Sequence, residues 1–121
     1  MIVALPFCNK DAHLHIKNLE LCSMMDLRVD QHALLSYEEG TDKYFVDTIT
    51  DMARNYFRNI HVLTYPKAPK PTWPAGPNWS FRHTALHIND NLPEVGSFFW
   101  WEADATPLHP GWLKQIEEAY T

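Results

Sequence analysis

The sequence predicts an α/β protein: a Rossmann-like, mostly parallel sheet with helices on both faces. Three observations carry that expectation. Short apolar runs recur along the chain, as in strands buried on both faces. Between them, apolar residues return every three or four positions, as on a packed helix. The resulting order, β-α-β-α-β-loop-α-β-α, calls for the crossovers that join parallel strands.

Ile2 to Phe7 is an unbroken apolar run, read as the first strand and stopped by Asn9, Lys10 and Asp11. Asp11 is expected to cap a helix whose apolar face includes Ala12, Ile16, Leu19 and Cys22. Ala33 to Tyr37 is the second strand, closed by Glu38-Glu39-Gly40-Thr41-Asp42. In that turn Gly40 suits a left-handed backbone, and Thr41 or Asp42 can cap the next helix. Phe45, Ile49, Met52, Ala53 and Tyr56 then share one helical face, and Ile60 to Tyr65 is the third strand. Pro66 to Ser80 reads as a loop, with prolines at 66, 69, 71, 74 and 77. Phe81, Ala85 and Ile88 form a short helical face after it. Ser97 to Trp101 is the fourth strand. Pro110 is expected in the first turn of a last helix, where proline is tolerated, with Leu113, Ile116, Glu117 and Tyr120 on one face.

The 121 residues fit one domain, 1–121, and 45% of them are hydrophobic, enough for a core. The net charge is −5, which argues against nonspecific nucleic-acid binding. No apolar run approaches the roughly 18 residues of a membrane helix. Met1 to Pro6 lacks the charged start of a secretory signal. Cys8 and Cys22 form no C-x-x-C pair and read as reduced thiols, Cys22 in the core, which makes a cytoplasmic location the expectation.

Parallel sheets bind ligands outside the carboxyl ends of their strands. Three polar clusters fall there: Cys8 to Asp11, Glu38 to Asp42, and Glu102 to Asp104. Alternation puts Glu102 and Asp104 on one side, and two hard carboxylates with phosphate oxygens suit Mg²⁺ or Mn²⁺. The competing reading is an acidic strand end that favours the following helix N-terminus. Glu38 or Glu39 can accept from a ribose or base, or can simply belong to a polar turn. Arg82 can meet a pyrophosphate as a planar cation, or pair with a surface acid. His83 and His87 have the i, i+4 spacing of metal ligands, but Thr84 stands where a zinc-protease motif needs Glu. The proline-rich loop carries P-x-x-P spacings that aromatic grooves recognise. Trp73 and Trp79 are costly to leave in water, so the loop is expected to fold over the strand ends as a site wall, with Lys67 and Lys70 available to phosphate.

Taken together, these clusters resemble the family-2-type glycosyltransferases of the GT-A fold. The likeness rests on Ile2 to Asp11 as strand and polar turn, on Glu38-Glu39-Gly40-Thr41-Asp42, and on Gly76 with Phe81-Arg82-His83. It continues with Gly96 to Trp101 leading into Glu102-Ala103-Asp104, and with Pro110-Gly111-Trp112-Leu113. The motifs come in the family's order and span nearly the whole chain; His83 stands where the family has Asn. The resemblance implies a nucleotide-diphospho-sugar donor, a UDP- or GDP-sugar, bound with Mn²⁺ or Mg²⁺. Asp104 would be the principal metal ligand, with Glu102 in the metal shell or at the ribose. Glu38 or Glu39 would meet the nucleoside, and Pro6 and Phe7 would line the nucleotide pocket.

Family members continue well beyond the acid-x-Asp strand, into an acceptor half that carries the general base of inverting members. This chain resembles the donor half only, so its acceptor and its transfer activity stay open. A short sheet also leaves an edge beside the fourth strand, and self-association there is an expectation. Two other readings compete: a sugar-phosphate nucleotidyltransferase, disfavoured because Pro6 to Asp11 contains no glycine, and a non-catalytic interaction module using the proline-rich loop and the sheet edge.

Overall fold

A computed structural model describes residues 1–120. The elements run β1 (Ile2–Pro6), α1 (Ala12–Met25), β2 (His32–Glu38), α2 (Lys43–Tyr56), β3 (Asn59–Tyr65), α3 (Ala75–Asn91), a 3₁₀ turn (Pro93–Val95), β4 (Phe98–Trp100) and α4 (Trp112–Ala119). The four strands form one sheet in the order β3-β2-β1-β4, and every pairing is parallel. The expected α/β class and element order are therefore found, with a sheet that is wholly parallel. No helix among the described residues is long and apolar enough to cross a membrane.

Register explains the two layers. Val3 lies between Ala33 and Phe99, and Leu5 beside Leu35. These side chains share one face with Phe7, packed under Leu19 and Cys22 of α1, Ile49 and Ala53 of α2, and Trp112 and Leu113 of α4. Ile2 and Leu34 point to the other face, where they meet Ile88 of α3, with Leu63, Leu92 and Phe98 around them. The chain steps outward from β1 to β3, then crosses back over the sheet to β4 on the far side of β1. Reversing the direction of travel puts the crossover helix on the opposite face, because such connections keep one hand.

Several local expectations are corrected. Helix α3 begins at Ala75, inside the segment read as a loop. Pro77 does not prevent this, because the first N–H groups of a helix have no intrahelical partner to lose. That turn of helix also removes the last P-x-x-P spacing from an extended conformation. Pro110 lies outside α4: Gly111, at φ 74°, is the N-cap and Trp112 the first helical residue. Asp11 occupies the N-cap of α1 without capping it. Its Oδ1 instead accepts the Cys8 N–H at 2.8 Å, which closes the turn after β1. Asp42 does cap α2, accepting the Tyr44 N–H at 2.9 Å, and Gly40 is left-handed at φ 84°.

The Pro-Gly-Trp-Leu segment is a structural clasp. The Gly111 N–H donates to both Asp26 carboxylate oxygens, at 3.1 and 3.2 Å. Tyr56 donates its hydroxyl proton to Asp26 at 3.3 Å, and the Trp112 indole N–H donates to Tyr56 at 3.1 Å. Side chains from α2 and α4 thus converge on the C-terminal end of α1. Burial pushes the neighbouring Cys22 thiol up to about 11, and both cysteines are free.

Candidate functional site

A cleft of about 770 Å³ opens at the carboxyl ends of the strands. Its walls are the β1–α1 turn, the β2–α2 turn, the segment from Tyr65 into α3, and Trp100 with Glu102 to Asp104. All three polar clusters of the sequence reach this one cavity. The β1–β4 boundary, where strand order reverses, opens into it, as the general rule for parallel sheets requires.

Each wall is held by identifiable bonds. Asn9 Oδ1 accepts the Asp42 N–H at 2.7 Å, tying the turn after β1 to the turn after β2. Glu38 Oε2 accepts the Ala68 N–H at 3.2 Å, so the proline-rich segment is fastened across the end of β2. Gly76 is required there: a Cβ would lie 2.6 Å from the Pro71 carbonyl oxygen. Trp79 secures the base of the segment by donating its indole N–H to the Pro66 carbonyl at 2.8 Å. The proline-rich segment does line the cleft, with its second half helical, but Trp73 is left largely in water, against the expectation that the loop would withdraw it.

The acidic wall depends on two side chains that sequence reading passed over or took only as the end of a strand. Asn18 of α1 is buried and donates to the Ala103 and Ala105 carbonyls, at 2.9 and 3.2 Å. The Trp101 indole N–H donates to the same Ala105 carbonyl at 2.8 Å. These bonds hold the 101–105 segment down, with Ala103 buried and Glu102 and Asp104 exposed on either side of it. Helical spacing gives Asn18 no motif; only a buried amide beside unpaired carbonyls reveals its role. Ser36 and Thr84 were also missed. Thr84 donates to the Ser80 carbonyl at 2.9 Å, so Ser36 is the donor in their 2.6 Å contact, and the pair fixes α3 to β2.

The cleft is electronegative. Asp11, Glu38, Glu39, Glu102 and Asp104 line it, against Lys10 and Lys67. Burial pushes the Cys8 thiol upward, and the Asp11 carboxylate adds to the shift. Burial likewise raises Tyr65; Ser80 opposes the shift and Glu38 reinforces it. Beneath the cleft, His15 is fully buried and donates from Nε2 to the Pro6 carbonyl at 2.9 Å. Its Nδ1 has no partner, and burial pushes its pKa down, so the ring is neutral.

Pro6, Phe7, Glu38, Glu39, Glu102 and Asp104 all line the cavity, but Arg82 does not; it is exposed on α3. His83 stacks on Tyr65 with ring centres 5.5 Å apart, and the His87 Nδ1 lies 3.3 Å from the Asn91 side-chain amide. No group of three or more His, Cys, Asp or Glu among the described residues could by itself hold a metal ion. On its 101–105 wall the cleft offers two exposed carboxylates, Glu102 and Asp104, and Glu102 accepts the Trp100 indole N–H at 3.3 Å. That donor set fits a hard cation whose remaining sites are filled by phosphate oxygens and water.

Fold and cleft together define an α/β protein with a candidate ligand site at the carboxyl edge of a parallel sheet. No family model, curated protein or solved structure matches the chain.

Proposed function

We propose that the cleft binds a nucleotide-diphospho-sugar with Mn²⁺ or Mg²⁺, as a glycosyltransferase-like donor-binding domain. The observation that carries this reading is the convergence of the Asn9, Glu38 and Glu102–Asp104 turns on one cavity at the strand-order reversal. Asp104 and Glu102 would hold the metal, which would neutralise charge on the departing diphosphate. A cleft with five carboxylates and two lysines repels a diphosphate, so the reading requires metal-dependent binding. Glu38, oriented by the Ala68 N–H, would accept from the nucleoside, with Pro6 and Phe7 forming the adjoining wall. Lys10 and Lys67 take the place first given to Arg82 as the cations facing phosphate.

Asp104→Ala tests the assignment. Binding of UDP or GDP that depends on Mn²⁺ in the parent chain should be lost in the variant. Retained Mn²⁺-dependent binding would remove Asp104 from the site. The free β4 edge supports a further proposal, that copies associate there. Sedimentation should then report a concentration-dependent dimer, and a monomer at every concentration would end that idea.

A further inference from the structure

Trp73 is the exception among the five tryptophans. Trp79, Trp100, Trp101 and Trp112 each donate the indole N–H to a named acceptor and pack against another ring. Among the described residues, the Trp73 side chain has neither a hydrogen bond nor an aromatic neighbour. It is 82% exposed, yet it lines the cleft.

Its position is set by bonds on both sides. Upstream, Ala68 is fastened to Glu38, and the Lys67 side chain lies over Gly40, its Cε 2.9 Å from where a Cβ would stand. Downstream, the Gly76 N–H donates to the Thr72 carbonyl at 3.0 Å, and the Asn78 N–H to the Pro74 carbonyl at 3.1 Å. The segment carrying Trp73 is therefore anchored to the end of β2, the side of the cleft where Glu38 and Glu39 stand. A large aromatic side chain on a cavity rim, carried by an anchored segment and with nothing on its face, is suited to a flat π-system. Aromatic side chains stack nucleobases without regard to sequence, because every base has a π-face.

We propose that Trp73 is the stacking platform for the nucleobase of the bound nucleotide. This rests on the nucleotide-binding reading above and adds to it the residue that meets the base. The polar edge of the base would face Glu38 and Glu39, and its plane would lie on the indole. Removing the ring should cost affinity for every base-bearing ligand and none for the phosphates.

The test compares the full chain with Trp73→Ala and Trp73→Phe, in Mn²⁺, using UDP, GDP and inorganic pyrophosphate as probes. Trp73→Ala should weaken UDP and GDP about 5- to 150-fold, leave pyrophosphate unchanged, and be largely rescued by Phe. UDP should quench tryptophan emission more than pyrophosphate does, and that difference should vanish in Trp73→Ala. Equal UDP and GDP affinity in the parent chain and Trp73→Ala would overturn the platform and leave the nucleotide site standing. Equal loss for pyrophosphate would also overturn it, marking Trp73 as a scaffold for the wall. No nucleotide binding by a folded parent chain would overturn both the platform and the reading beneath it.

Discussion

The two faces of the sheet are built to different depths. One carries α1, α2 and α4 over a continuous core that includes Trp101, Tyr56, Phe57 and Leu113. The other carries α3 over a small cluster centred on Ile2, Leu34 and Ile88. The acidic wall of the cleft hangs from the thick side, through Asn18 and Trp101. The proline-rich wall belongs to the thin side and continues into α3. The two walls therefore differ in support: Glu102 and Asp104 stand on a segment tied to the deep core, while the proline-rich wall stands on the shallow one.

Emptying the thick side should have the largest effect. Trp101 is 1% exposed, and Trp101→Ala should cost about 3–5 kcal/mol in urea unfolding. Ile88→Ala, in the thin cluster, should fall near the low end for its type, about 2 kcal/mol. Equal losses at the two positions would erase the distinction. Asn18→Ala should come next, at about 1–3 kcal/mol, because two loop carbonyls lose a buried donor. It should also weaken metal-dependent nucleotide binding by loosening the segment that carries Glu102 and Asp104. Unchanged binding at matched fold stability would detach that segment from the site. Gly76→Ala places a Cβ against the Pro71 carbonyl and should cost about 1–3 kcal/mol or displace the wall, read by unfolding and by ligand affinity together.

The smallest effect concerns pH. His15 is buried neutral on the thick side, with its pKa pushed below the ordinary 6.5. Below that ordinary value the unfolded chain takes up a proton that the folded chain refuses. Stability is therefore complete above about pH 6.5 and falls by about 1.4 kcal/mol per pH unit toward the lowered folded value. His15→Phe should flatten that part of the profile. Identical profiles for the two proteins would contradict the neutral, buried ring.

The sequence was most legible where one force acts alone. Apolar runs located β1 to β4 within a residue or so, and Asp42 and Gly40 did what their residue types do at a helix start. Legibility failed where two local roles were open to one residue. Asp11 could close the preceding turn or cap α1, and the Cys8 N–H took its carboxylate. Five prolines suggested loop through Ser80, but Pro77 sits in a first turn where it loses no hydrogen bond. In the site, carboxylates at strand ends were visible as types in sequence, and their convergence followed from strand order. Asn18 and His15 were not visible, because their partners are backbone carbonyls, those of Ala103 and Ala105 for one and Pro6 for the other, which have no signature in a sequence.

The most direct test of the account is calorimetric titration of UDP and of GDP into the folded chain, each with Mn²⁺ and with a chelator. At least one nucleotide should bind, and its binding should require the metal, because five cleft carboxylates stand against two lysines. Absence of binding with Mn²⁺ present, or equal affinity with the metal removed, would contradict it.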